Sequence, residues 1–348
     1  MAAFATVATV VHGNGNMNHG GAGMKAAVIE KQGGVENISY RDWPDPEARP
    51  GDVVVWVRAC GLNHLDIFVR RGMPGFPVTM PFISGGDIAG EIAVVGEGVT
   101  GWSVGDRVVL NPGTSEGMIG EQLIGGLAEL VRVPADYLVR LPDTLSFDVG
   151  AAIPINYGTA HRMLFHRGRL QAGETVLVLG ASGGVGTACV QFGKMAGATI
   201  IAAAGSRDKC DRLGALGADH VIDYSEQDFS AEAWRLSGKK GVDMVINFTG
   251  GETWVPSLRC AKRGGRVLTC GATAGHAPAT DLRFIWVREL DVLGSNSYSQ
   301  ADIERSVALI SEGHFTPAIS HKLPLSRTAE AETLMEDRAF FGKIIVNP

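Results

Sequence analysis

The sequence predicts an α/β fold in two parts, an irregular β region followed by a doubly wound parallel sheet. From Met24 to about Leu141, short apolar runs alternate with turns rich in Gly and Pro, the pattern of half-buried strands. After about Phe147, apolar strands alternate with segments of helical spacing, which implies parallel strands joined by crossover helices. Between two of these segments stands a glycine-rich turn, GASGGVG. The expected divisions are 1–23 as a disordered extension, 24–150 as an irregular β domain and 151–290 as a parallel-sheet domain. A closing segment, 291–348, returns to the first domain.

In chain order, KAAVIE, DVVVWVRAC, IAGEIAVVGEGV, DRVVL and AELVRV read as strands. One helix interrupts them, from Asn63 to Arg71, and stops at Gly72. Then TVLVLG is a strand, ACVQFGKMAG a helix, ATIIAAAG a strand and RDKCDRLGALG a helix. HVIDY, VDMVINFTG and GRVLTCGA supply further strands, DVLGSNS precedes a helix around Ile303–Ile310, and GKIIVNP closes the chain as a strand.

The 348 residues suffice for two domains. No apolar run is long enough to span a bilayer. Lys+Arg 31 against Asp+Glu 37 gives a net charge of −6, which argues against nucleic acid or an anionic membrane as a partner. Five cysteines (Cys60, Cys189, Cys210, Cys260, Cys270) form no C-x-x-C pair and are odd in number, so a reducing cytoplasm is expected. The first 23 residues contain no Lys, Arg, Asp or Glu, unlike a secretory or transit signal. They read as an extension ahead of Met24, and the pair His12/His19 as part of a tail.

The glycine turn, with Gly180, Ser182, Gly183, Gly184, Val185 and Gly186, follows a strand and opens a helix. Glycines there allow a tight turn and bring backbone N–H groups up to a pyrophosphate at the helix N-terminus. The cofactor type is read at the end of the next strand, where an NAD site wants Asp or Glu for the ribose 2′-hydroxyl. This chain has Ala204 there, with Ser206, Arg207 and Lys209 following. A hydroxyl and two cations suit a 2′-phosphate, so NADP(H) is expected.

The stretches GDVVVWVRACGLNHLD, ISGGDIAGEIAVVGEGVTGWSVGDRVV, AAIPINYGTAHRML, GETVLVLGASGGVG and GKIIV together resemble the medium-chain dehydrogenase/reductase superfamily. The resemblance covers nearly everything from Met24 to Pro348. It implies a GroES-like catalytic domain, a Rossmann domain, a nicotinamide cofactor in the cleft between them and a homodimer. Zinc-dependent members carry metal ligands at three positions, which here hold Asn63, Gly86 and Ile155. The segment Asn111–Gly126 lacks the four cysteines of a structural zinc lobe. Neither metal is therefore expected, since catalytic zinc needs about three Cys, His or carboxylate ligands, and Cys60 reads as a small buried side chain.

The G-L-N-x-x-D pattern is similar to the zinc-free quinone oxidoreductase and enoyl reductase branch. By that resemblance Asn63 lies near the nicotinamide and its ribose, and Tyr224 lies near the adenosine phosphate with Ser206 and Lys209. Thr159 and the Gly271-Ala272-Thr273 backbone flank the nicotinamide, and Lys343 lies by the ribose. Without zinc a simple ketone is poorly activated, whereas an enone or quinone spreads the incoming charge onto an oxygen that a few donors can stabilise. The expected reaction is NADPH-dependent reduction of a small-molecule quinone or α,β-unsaturated carbonyl, with Asn63, His64 and Tyr157 as candidate donors. Two alternatives stay open: a zinc-type alcohol dehydrogenase or aldehyde reductase, and a non-catalytic NADPH-binding protein.

Overall fold

The computed structural model describes residues 23–72 and 77–348. The expected extension therefore lies, up to residue 22, outside the described residues. The first strand is Met24–Ile29, hydrogen-bonded antiparallel to Ile38–Trp43.

The central strand of the first sheet, Asp52–Gly61, carries valines at 53, 54, 55 and 57, all buried. It pairs antiparallel with Asp87–Val95, with Leu130–Pro134 and with the last strand, Lys343–Asn347. Ile319–Pro324 adds to that last strand in parallel. The predicted helix forms as His64–Arg71, ending at Gly72 with φ +86.

The second sheet has six parallel strands in the spatial order His220–Asp223, Thr199–Ala204, Thr175–Leu179, Val242–Ile246, Ala261–Thr269, Asp291–Gly294. Numbered along the chain this is 3-2-1-4-5-6, the doubly wound order whose reversal lies between Thr175–Leu179 and Val242–Ile246. Ligands bind beyond the carboxyl ends of the strands at such a reversal. Val176, Leu177 and Val178 are fully buried there, as a strand covered by helices on both faces requires.

Two connections join the sheets at this point. The helix Pro154–His161 crosses from the first domain and packs on Gly184–Met195, the helix opened by the glycine turn. Gly342, one residue before the last strand, donates its N–H to Ser182 O at 2.8 Å and forms a parallel bridge with Gly183. The glycine turn is thus hydrogen-bonded to a segment that continues into the other sheet.

Candidate active site

Gly180 ends its strand with φ +64, a left-handed turn that glycine adopts without strain. A Cβ on Gly186 would lie 2.5 Å from Gly180 O, so this glycine lets the helix sit directly on the strand. The helix begins at Gly183, where no side chain supplies a capping bond. Its first N–H groups face outward with a positive helix end, which fits a pyrophosphate. Val185 packs partly buried against the core.

At the adenosine end, Ala204 is buried and offers no carboxylate. Ser206 caps the following helix and accepts from Lys209 N at 3.4 Å. The Tyr224 ring lies over Gly205, whose Cβ would be 2.9 Å from Cε2. Lys209 Nζ donates to Arg338 O at 2.6 Å, and its pKa is held below the usual lysine value by burial and then by Arg338. Burial pushes the Tyr224 phenol up, and Arg338 opposes that shift. Arg338 is therefore a cation of this pocket that the sequence reading missed; it comes from a loop residue with φ +56 far along the chain. Arg207, expected at the same phosphate, is 80% exposed on its side chain and pairs with Asp211 at 3.0 Å, one helical turn on.

At the other end, Asn63 opens the helix His64–Arg71. Its Nδ2 donates to Asp87 Oδ2 at 2.9 Å, and its Oδ1 accepts from Lys343 Nζ at 2.8 Å. Lys343 Nζ also reaches Asp87 Oδ2 at 2.5 Å, and Asp87 Oδ1 accepts from Ile155 N at 2.7 Å. Asp87 is 0% and Lys343 2% exposed. The structure thus joins Asn63 and Lys343, expected near nicotinamide and ribose, through a buried carboxylate that the sequence reading passed over. Both ends of the Asn63 amide are engaged within the protein, with the second Nδ2 hydrogen facing Gly61 O at 3.4 Å, so a substrate carbonyl would compete with that long bond.

Asp66 supports the same turn, accepting from Asn63 N at 2.7 Å and Gly85 N at 2.8 Å, and burial raises its pKa to about 6. His64 is half-buried. Burial, then the cations Arg338 and Lys343, lower its pKa, so its imidazole is neutral at neutral pH.

Tyr157 requires a correction. Its hydroxyl donates to Gln191 Oε1 at 2.6 Å, and its ring lies 5.8 Å from both Phe192 and Phe315. The roll of the helix Pro154–His161 turns Tyr157 into the core, where desolvation pushes its pKa far up. It is not placed to donate a proton in the cleft.

Thr159 is buried on the same helix, next to Gly158, against which the Tyr298 ring packs. The Tyr298 hydroxyl is buried, has no hydrogen-bond partner among the described residues and lies within the field of Asp87. Nothing in SNSYSQ marks it in the sequence. Gly271, Ala272 and Thr273 follow the strand Ala261–Thr269; Thr273 N donates to Phe248 O at 3.2 Å, and the Phe248 ring borders Gly180. Gly271 and Ala272 also line an open groove of about 820 Å³ with Trp254, His276 and Asn296.

The three zinc-ligand positions do converge. A Cβ on Gly86 would lie 3.2 Å from Ile155 Cδ1 and 3.5 Å from Pro112 Cβ. They supply an aliphatic wall and an amide, and the nearby Asp87 is already paired with Lys343. This donor set does not fit a catalytic zinc ion. Cys60 is fully buried with its thiol pKa pushed well up by desolvation.

Comparison with known proteins agrees with this architecture. Residues 49–143 match the family described as "Alcohol dehydrogenase GroES-like domain", and residues 184–312 the one described as "Zinc-binding dehydrogenase". The chain is 31% identical over 331 residues to a quinone oxidoreductase of Rattus norvegicus, covering 93% of this chain and 97% of that one. It is 30% identical over 342 residues to an acryloyl-coenzyme A reductase of Metallosphaera sedula, covering 93% and 99%. Among solved structures, an NAD-dependent alcohol dehydrogenase superposes with TM-score 0.89 at 36% identity, covering 93% of this chain and 100% of the other. A crotonyl-CoA carboxylase/reductase, AntE V350A, in complex with NADP gives 0.85 at 25%, covering 93% and 94%. The chain is a two-domain oxidoreductase of the nicotinamide-binding class. It belongs to the medium-chain dehydrogenase/reductase superfamily, in the quinone oxidoreductase-like branch.

Proposed function

We propose that this protein is an NADPH-dependent, zinc-free reductase of a quinone or an α,β-unsaturated carbonyl. The observation that carries the reading is the buried Asn63–Asp87–Lys343 network, with Gly86 and Ile155 beside it, at the positions where zinc-dependent members hold their metal. A site without a Lewis acid favours acceptors that delocalise their own negative charge.

When bound, NADPH would supply the hydride for the β-carbon of such an acceptor. Gly180–Gly186 would hold its pyrophosphate, and Ser206, Lys209, Tyr224 and Arg338 its 2′-phosphate. Lys343 and Asp87 hold Asn63 and fix the start of the helix that presents His64. The buried Tyr298 hydroxyl, unpartnered among the described residues, is the donor we assign to the developing oxyanion; burial and Asp87 push its phenol well up, so it hydrogen-bonds without giving up its proton. His64, neutral and half-buried, relays the proton from water. Removing one preorganised donor of this kind costs about 3–4 kcal/mol in the transition state.

A homodimer forms part of the same proposal. The strand Asp291–Gly294 pairs on one side only among the described residues, and Leu282, Trp286 and Val287 beside it are 65%, 67% and 54% exposed. An open edge flanked by large apolar groups suits two-fold pairing with a second copy.

The 36% identity to a structure described as an NAD-dependent alcohol dehydrogenase favours a second reading, oxidation of simple alcohols with NAD. One experiment separates the two: NADPH and NADH oxidation against quinones, enones, enoyl thioesters and aldehydes, with metal analysis of the same sample. Turnover of conjugated acceptors by NADPH in metal-stripped protein supports the proposal. Activity confined to alcohols and aldehydes and dependent on zinc refutes it.

A further inference from the structure

We infer that His161, His166 and Asp302 form a binding site for a divalent transition-metal ion of the Zn²⁺ class, separate from the proposed reaction centre. Their three ligand atoms lie within 4.8 Å of one another. His161 Nδ1 is 2.6 Å and His166 Nε2 3.1 Å from the same oxygen, Asp302 Oδ1. Around a tetrahedral zinc with bonds near 2.0–2.1 Å, neighbouring ligand atoms stand about 3.3 Å apart, so the trio needs only a slight spread to admit the ion.

The backbone builds this cluster by an unusual route. The two histidines are five residues apart, and on an α-helix they would project about 140° from one another. Here Arg162–Arg167 is a π-helical turn, and Gly168 N donates to Met163 O at 2.7 Å, five residues back. The wider turn brings both imidazoles round to one carboxylate, and single π-turns of this kind occur frequently at functional sites.

Asp302 is prepared as a ligand. It is fully buried, and its other oxygen, Oδ2, accepts from Ser299 N at 2.8 Å and Ser299 Oγ at 2.6 Å. Those bonds orient Oδ1 towards the imidazoles, as outer-shell partners do in metal sites. His161 is 14% and His166 58% exposed on its side chain, so the site opens to solvent on one side and a water completes it. Two imidazoles and one carboxylate suit zinc and, by ligand type, cobalt or nickel. The ion would tie the helix Pro154–His161, which carries Ile155 against Asp87, to Gln300–Ser311, stiffening the junction between the domains.

The test uses the chelator-treated full-length protein titrated with Zn²⁺ alone by calorimetry, with Tm measured at each metal concentration. His166→Gln, at an exposed position, and His161→Gln are titrated in parallel. The expected result is one equivalent bound at micromolar Zn²⁺ by the wild type, with a rise in Tm, and neither effect in the variants. Co²⁺ should give the visible absorption of a four-coordinate ion in the wild type only. Equal Zn²⁺ uptake by wild type and His166→Gln, or no uptake by either, overturns the inference and reduces the trio to a hydrogen-bonded staple. NADPH oxidation by the metal-free protein reads the proposed reaction separately.

Discussion

Substituting either partner of the Asp87–Lys343 pair should be among the most damaging changes in this fold. The ammonium and carboxylate stand 2.5 Å apart with side-chain exposures of 3% and 0%. At an effective dielectric constant of about 20, their gross attraction is about 7 kcal/mol, most of which offsets the desolvation of both ions. Removing one partner leaves the other charge buried, at a cost of about 3–5 kcal/mol. In Asp87→Asn, Lys343 keeps Asn63 Oδ1 as a neutral acceptor; in Lys343→Met, Asp87 keeps Asn63 Nδ2 and Ile155 N. The double variant buries no charge at this spot and should regain at least about 2 kcal/mol over the sum of the single effects. Urea unfolding, followed by tryptophan fluorescence and circular dichroism, gives the three values as midpoint shifts at constant m. Single-variant losses under about 1 kcal/mol, or strict additivity in the double, would refute the reasoning, because both require a hydrated pair.

Four further outcomes are expected. Ala204→Asp should move cofactor preference towards NADH by placing a carboxylate against the 2′-phosphate; an unchanged ratio of kcat/KM values for the two cofactors sinks the assignment. Tyr298→Phe should lower kcat by about 10²–10³ with conjugated acceptors, whereas Tyr157→Phe should keep turnover and cost about 1–3 kcal/mol of stability by stranding the Gln191 amide. Asp66, raised from 3.8 to about 6 in the fold, binds more proton there than when unfolded, so its stability contribution is present below pH 4 and lost as pH rises to 6. The pH dependence of wild-type stability minus that of Asp66→Asn should accordingly fall across that window by on the order of 3 kcal/mol; a flat difference contradicts the burial argument. Finally, Trp286→Asp should convert a dimer to monomer in sedimentation, and a wild type that sediments as monomer removes the proposed edge pairing.

The sequence spoke most clearly where structure is local. The strand Thr175–Leu179, the turn at Gly180 and the helix stop at Gly72 follow from apolar period and from glycine's access to positive φ. Ile38–Trp43 and Ile319–Pro324 escaped notice because ISYRDW and ISHKLP interleave polar residues and neither is fully buried. Local chemistry on one motif can be read directly, and Ser206 and Lys209 do stand together at the start of one helix. Asp87 was not, because its role arises from Asn63, Ile155 and Lys343 meeting it across as many as 256 residues. Tyr157 was misjudged for a related reason: position in a motif does not give the roll of the helix that carries it. No residue in RMLFHR announces a π-turn, so the His161–His166 pairing was invisible until the backbone was in hand.

The peptide link between Gly342 and Lys343 constrains how the cleft can open. Gly342 grips the glycine turn while its immediate neighbour, Lys343, anchors the Asn63 amide on the opposite domain. A single peptide unit therefore spans the two halves, and hinge motion must either rupture the Gly342–Ser182 contact or pull the lysine out of register. Movement of the glycine turn and placement of the Asn63 amide are mechanically inseparable in such an arrangement, and an extra residue inserted at that junction would uncouple them.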